Sequence, residues 1–203
     1  MDKFYYRFIK RALDITISTI ILAIASPILL LSIVTMIILN KSFSVFFVQL
    51  RPGLNEKPFK LIKLKTMNDN VNDSGELLPD YVRTTFIGKL FRKFSIDELP
   101  QLINVIKGDM SLIGPRPLLV EYLSYYTPEQ RRRHHVLPGI TGWAQIHGRN
   151  NLGFNERFKL DVWYVENVSF LLDCKIFLST VIKIFKSENV LIQDPNKFSN
   201  QNL

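Results

Sequence analysis

One stretch dominates the pattern of apolar and polar positions. Ala12 to Leu39, "ALDITISTIILAIASPILLLSIVTMIIL", runs for 28 residues with a single charge, Asp14, far more apolar than a surface helix allows. As one helix it would reach ~42 Å, more than the ~30 Å hydrocarbon core of a bilayer. Its apolar run exceeds the ~7–15 residues of a signal-peptide core and no small-residue cleavage site follows, so a retained anchor is expected. Ser26-Pro27 interrupts it at mid-length, where proline removes a backbone hydrogen bond and favours a kink or break. The halves, 12–25 and 28–39, would measure roughly 21 Å and 18 Å, each too short to cross. Two readings stand on the residues: one kinked span, or a re-entrant hairpin with both ends on the same side. Lys3, Arg7, Lys10 and Arg11 precede the segment and Lys41, Arg51, Lys57 and Lys60 follow it, so flanking charge favours neither end as the outer one.

Beyond residue 40 the pattern is mixed α/β. "SVFFVQLR" and "PFKLIKLKT" have strand composition around the turn "RPGLNEKP", which predicts a hairpin. The polar run 67–80 reads as a surface loop, and helical spacing recurs at 82–94, 99–107, 118–126 and 154–166. Phe170 to Lys186 places Phe177, Val181, Ile184 and Phe185 at helical spacing among lysines, which suits an interfacial helix and a core-packed helix equally. After Glu188 the chain is polar and has the look of a loose terminus. The 203 residues suit one domain: 1–40 in the membrane, 41–187 as the mixed α/β region at its surface, and 188–203 as tail.

The net charge of +8 implies an anionic partner: nucleic acid, an anionic membrane or a phosphorylated substrate. The apolar anchor and the lack of a zinc-finger or RNA-binding motif exclude nucleic acid. Cys174 is the sole cysteine, so no intramolecular disulfide forms and a cytoplasmic setting fits. His134, His135 and His147 lack the spacing of a zinc site, and "RRRHH", Arg131 to His135, reads as an electrostatic surface.

Against this basic background, "SIDELPQL" sets Asp97 and Glu98 side by side. Ser95 and Glu98 have capping-box spacing, whereas Pro100 suits the first turn of a helix that begins there and leaves the acids in the entering turn. Either way they lie at a helix N-terminus, which keeps carboxylates ionised and draws phosphate. Ionised carboxylates serve as nucleophiles and as magnesium ligands. "GPRP" at 114–117 is a stiff turn that would fix Arg116, whose fork suits phosphate oxygens. "LPGITGWAQIHGRNN" places Gly139, Gly142 and Gly148 about a strand-like stretch and then presents Arg149.

In this order, "QLRPGLNEKPFKLIKLKTM", "SIDELPQLINVIKGDMSLIGPRPLLVEYL" and "LPGITGWAQIHGRN" resemble the monotopic phosphoglycosyl transferases among the bacterial sugar transferases. The resemblance runs from the basic N-terminus to about residue 187, and this chain is most similar to the small, single-domain members that handle N-acetylated amino sugars. It implies an N-terminal re-entrant membrane helix broken at Ser26 and Pro27, a small cytoplasmic mixed α/β domain with interfacial amphipathic helices, and a place at the bacterial inner membrane. It implies further that a UDP-sugar gives its sugar phosphate to undecaprenyl phosphate with release of UMP, the first step of glycoconjugate or surface polysaccharide assembly. By the same mapping Asp97 and Glu98 are the catalytic dyad, the reaction passes through a phosphosugar-aspartyl enzyme, and Mg2+ is required, with Asp97 as ligand. Arg116, held by Pro115 and Pro117, and Arg149 would contact donor phosphates, and Arg92 a lipid or polyprenyl phosphate. Glu98 would help hold magnesium, orient Asp97, or cap the helix. Lys63 and Lys65 read as either a membrane-facing or a merely solvated basic surface.

Overall fold

The computed structural model describes residues 4–40, 43–148 and 152–186. A π-helical turn, Tyr5–Ile9, leads into α1, Lys10–Asn40. The helix runs unbroken through Pro27, so the interruption expected at Ser26-Pro27 is not a loss of helix. The reason is local: Pro27 has no N–H to give Ala23, and the Ser26 hydroxyl donates to that freed carbonyl at 2.8 Å.

The faces of α1 are inverted relative to a soluble helix. Lys10, Asp14, Ser18, Ser32 and Met36, at helical spacing, are buried, while Ile20, Ile24, Ile28, Leu31, Val34 and Ile38 are exposed. The inward stripe is the polar one because it meets hydrogen-bonding groups of the domain. Asp14 accepts from the Leu112 amide at 3.0 Å, and Lys10 pairs with Asp173 at 2.7 Å. The outward stripe is not covered by any of the described residues, and α1 is long and apolar enough to cross a membrane.

The expected hairpin is present: β1, Phe46–Pro52, pairs antiparallel with β2, Pro58–Leu64, from Phe46 opposite Leu64 to Pro52 opposite Pro58. The expected helix at 82–94 forms two pieces, α2, Asp80–Arg83, and α3, Phe86–Lys93, because Thr84 pairs with Met67 and Thr85 caps α3 through the Gly88 amide at 2.9 Å. Helix α4, Gln101–Lys107, ends at Gly108 in the left-handed conformation that glycine supplies (φ 98°). Strand β3, Ser111–Ile113, follows, and then the helix expected at 118–126 is replaced by 3₁₀ turns over Val120–Tyr125. Two short segments come next, α5 at Pro128–Arg131 and β4 at Gly139–Thr141, and β4 runs parallel to β3. The strand-like stretch in "GITGWAQIH" ends there and becomes α6, Trp143–His147. The last two helices are α7, Phe154–Asn167, and α8, Phe170–Lys186.

Two apolar clusters organise the body, and α1 enters both. Leu61, Leu102, Val105, Met110, Val136, Tyr164 and Ile176 form the larger, with Ile17, Ile21 and Leu22 packed on it. Met36, Val45, Leu64 and Phe91 form the smaller, joined by Leu29, Ile33 and Ile37. Helix α8 buries Ile176 and half-buries Phe177 against the core while exposing Phe170, Leu171, Leu178, Val181 and Ile182, so of the expected stripe Phe177 faces the core and Val181 faces outward. The side chains of Ile184 and Phe185 and the tail from 188 lie outside the described residues.

Candidate active site

The dyad is placed by the turn between α3 and α4. Ser95 adopts a left-handed conformation (φ 57°) and its side chain makes no cap, so the capping-box reading fails. Ile96–Glu98 form one 3₁₀ turn, and Pro100 is the N-cap of α4, so the acids sit in the entering turn. Helix α4 is fastened to the hairpin by Asn104, which accepts from the Ile62 amide at 3.2 Å and donates to the Lys60 carbonyl at 2.8 Å. That attachment brings Lys63 of β2 to the dyad. The Lys63 ammonium meets Glu98 Oε1 at 2.8 Å, so Lys63 is a counter-ion of the site and not a membrane-facing or solvated charge. Lys65 is a surface residue paired with Asp69.

On the other side of Glu98 stands Arg116, whose Nη2 donates to the same Oε1 at 2.6 Å. Its turn follows β3 and lies against the chain around β4 at backbone contact. The Gly114 amide donates to Thr141 at 2.8 Å and the Gly139 amide to Pro115 at 3.0 Å. A Cβ on Gly114 would come 2.3 Å from the Leu137 carbonyl oxygen, which is why glycine stands there. From α3, Arg92 reaches in and donates through Nε to Thr66 at 2.9 Å.

These contacts give the two acids different characters. Burial pushes Glu98 up, but Arg116 and Lys63 outweigh it and hold its carboxyl well below the usual range. Asp97 is 7% exposed and makes no hydrogen bond or ion pair among the described residues. Burial first, and then the Glu98 charge, push Asp97 up, with Lys63, Arg92 and Arg116 pulling the other way. The site therefore holds one neutralised carboxylate and one uncommitted carboxylate facing three cations. Such an arrangement can attack an electrophilic phosphorus and can offset the charge of an arriving diphosphate.

The structure thus joins Asp97, Glu98, Arg92, Pro115, Arg116 and Pro117, while Arg149 lies outside the described residues. It adds Lys63 as an ion-pair partner. A cleft of about 400 Å³ between Tyr6, Arg7, Arg11, Leu54 and Leu137 does not include the dyad. Among the described residues no group of three or more His, Cys, Asp or Glu side chains is placed to hold a metal. A magnesium ion fits that poverty, since it keeps several waters and takes one or two carboxylates alongside substrate phosphates. Asp97 and the second oxygen of Glu98 are the donors present.

The family profile described as bacterial sugar transferase matches residues 5–187. The chain belongs to that family. This sugar transferase is 54% identical over 182 residues to an uncharacterized sugar transferase, EpsL, of Bacillus subtilis, the match covering 90% of each chain. It is 36% identical to a UDP-glucose:undecaprenyl-phosphate glucose-1-phosphate transferase of Caulobacter vibrioides, covering 89% of this chain and 71% of the relative. It is also 40% identical to a UDP-N-acetylgalactosamine-undecaprenyl-phosphate N-acetylgalactosaminephosphotransferase of Aeromonas hydrophila, covering 87% of this chain but 43% of that longer relative.

Of the run Arg131–His135, read as an electrostatic surface, Arg132 and His135 are exposed while the other three turn toward protein. Arg131 donates through Nη1 to both Glu56 carboxylate oxygens at 2.8 and 2.7 Å, Arg132 pairs with Glu166, and Arg133 and His134 are buried. Burial, followed by Arg133 and Arg131, pushes the His134 imidazole down to about 3. The unfolded chain takes up a proton at His134 near pH ~6.5 and the folded one does not until far lower. Stability contributed by neutral His134 is therefore present above ~6.5 and is lost as pH falls toward the folded value. In urea melts from pH 7 to pH 5, His134→Gln should flatten this part of the decline, by up to about 1.4 kcal/mol per pH unit. An unchanged slope would show that His134 does not titrate in the unfolded chain alone.

Proposed function

We propose that this sugar transferase moves a sugar 1-phosphate from a UDP-activated sugar, an N-acetylated amino sugar, to undecaprenyl phosphate, releasing UMP. The observation that carries the reading is the unequal dyad: Asp97, without a hydrogen-bond or ion-pair partner among the described residues, beside Glu98 locked between Lys63 and Arg116. Asp97 attacks the phosphorus bearing the sugar, forming an aspartyl O–P bond as the bond to the UMP oxygen breaks. The polyprenyl phosphate then attacks the acyl phosphate, and Asp97 leaves as a carboxylate. Two displacements through one carboxylate give ping-pong kinetics. Arg116 and Arg92 meet the donor and acceptor phosphates, and Lys63 with Arg116 prevents Glu98 from repelling them. Asp97, with help from Glu98, would hold Mg2+, which would supply charge neutralisation at the diphosphate.

The enzyme works at the cytoplasmic face of the bacterial inner membrane, with α1 dipping into the lipid by its apolar face and both of its ends on that side, and its product starts a glycoconjugate or surface polysaccharide. Support for this topology comes from packing. The two apolar clusters of the body touch α1 near Ile17 and Leu22 and again near Ile33 and Met36. A spanning helix would place those contacts on opposite sides of the bilayer.

The test mixes detergent-purified protein, magnesium and a panel of UDP-sugars, first without and then with undecaprenyl phosphate. A stoichiometric UMP burst with a sugar-phosphate mass adduct, followed by acceptor-dependent turnover, is the expected result. Acceptor-dependent turnover without a burst for any donor would replace the covalent route by direct transfer.

A further inference from the structure

Arg133 lies beneath the turn that carries Arg116, and it is 1% exposed. Its Nε and Nη2 donate to Asp161 Oδ2 at 3.1 and 2.7 Å. Nη2 also donates to the Arg116 carbonyl at 2.7 Å, and Nη1 reaches the Tyr126 hydroxyl at 3.4 Å. The guanidinium carbon stands 5.4 Å from the centre of the Phe158 ring. Asp161, also 1% exposed, comes from α7.

A buried ion pair of this kind is a poor device for stability, because desolvation offsets much of the attraction and apolar side chains of similar volume do as well. What apolar side chains cannot supply is direction. The planar fork gives two N–H groups to one carboxylate oxygen and a third to a backbone carbonyl, in one fixed geometry. The carbonyl so chosen belongs to Arg116, the residue whose side chain grips Glu98 at 2.6 Å. Pro115 and Pro117 stiffen the chain on either side, and the Gly139 amide holds the Pro115 carbonyl at 3.0 Å. The orientation of the Arg116 peptide is then set from below by Arg133.

We propose that Arg133, oriented by Asp161, is a positioning residue for the transfer reaction: it fixes the Arg116 peptide and thereby aims the Arg116 guanidinium at Glu98 and the donor phosphates. This rests on the function proposed above. A lysine at 133 keeps the charge for Asp161 but is a point donor on a flexible stem and does not hold the carboxylate and the carbonyl in one plane.

The experiment uses the full chain in detergent and compares Arg133→Lys, with Asp161→Asn as the second variant should the first fail to fold. Each is made in the wild-type and Arg116→Gln backgrounds. Steady-state transfer is measured with the UDP-sugar that turns over, alongside hydrogen exchange of peptides covering 111–119. The expected result is a loss of about 10- to 100-fold in donor kcat/KM in the wild-type background, with the acceptor KM unchanged. In the Arg116→Gln background the same change costs less than about 2-fold, because Arg133 acts through a side chain already removed. Exchange at Gly114 and Arg116 speeds up while α4 keeps its protection. Equal fold losses in both backgrounds, or unaltered exchange at 114–117, would overturn the proposal. Absence of transfer by the wild-type protein with every donor would remove the proposed reaction itself, and the exchange comparison alone then decides whether Arg133 holds the turn.

Discussion

Asp97→Asn should abolish both the UMP burst and the mass adduct, lowering turnover by on the order of 10⁴-fold or more, as loss of a covalent nucleophile does. The fold should survive the change. Asp97 makes no hydrogen bond or ion pair among the described residues, and burial together with Glu98 already disfavours its charge. A neutral isostere relieves both penalties, so the variant should melt at or above the wild-type temperature. An inactive protein of undiminished stability is the signature of a residue kept for chemistry. Substantial turnover by a verified Asp97→Asn protein would remove Asp97 from the mechanism. The same substitution at Glu98 is a different experiment, because it strands Lys63 and Arg116 without their shared carboxylate.

The second large effect is on stability. Asp173→Ala should cost about 3–5 kcal/mol, since it leaves the Lys10 charge buried and unpaired. Asp173 Oδ2 accepts from Lys10 and from the Tyr5 hydroxyl, each at 2.7 Å, and Oδ1 accepts from the Tyr164 hydroxyl at 2.7 Å. It therefore joins the start of α1, α7 and α8 at one point. Thermal unfolding of detergent-purified protein would register the loss, and the paired change Lys10→Met with Asp173→Leu should recover most of it. A melting temperature unchanged in Asp173→Ala would show that the buried ammonium finds water or another acceptor.

How much of this was legible in the sequence differs element by element. Strand composition on either side of the turn "RPGLNEKP" predicted the β1–β2 hairpin, and Pro100 pointed to acids in the entering turn, because both signals are local. The helix expected at 118–126 failed since apolar spacing alone does not distinguish an α-helix from successive 3₁₀ turns. Lys63 was misjudged because a lysine on a half-buried strand looks the same whether it faces solvent or a carboxylate brought by a distant turn. Arg133 was hidden among Arg131 and Arg132 for a similar reason: its partner Asp161 lies 28 residues on, and only α7 brings it near. In α1, Lys10, Asp14, Ser18 and Ser32 fall along one face. That spacing was available as a sign that this face meets protein and the opposite face does not.

The seating of α1 along the body has a kinetic consequence. A helix clamped at both ends of its length leaves no joint at which Asp97 can rise or sink relative to the lipid in which such a helix dissolves. The standoff of Asp97 is fixed at folding, so a polyprenyl phosphate must travel to it by lateral diffusion within the leaflet. In reconstituted bilayers the rate should then follow the mole fraction of acceptor in the membrane, falling as inert lipid is added even when the amount of acceptor per volume of solution is held constant.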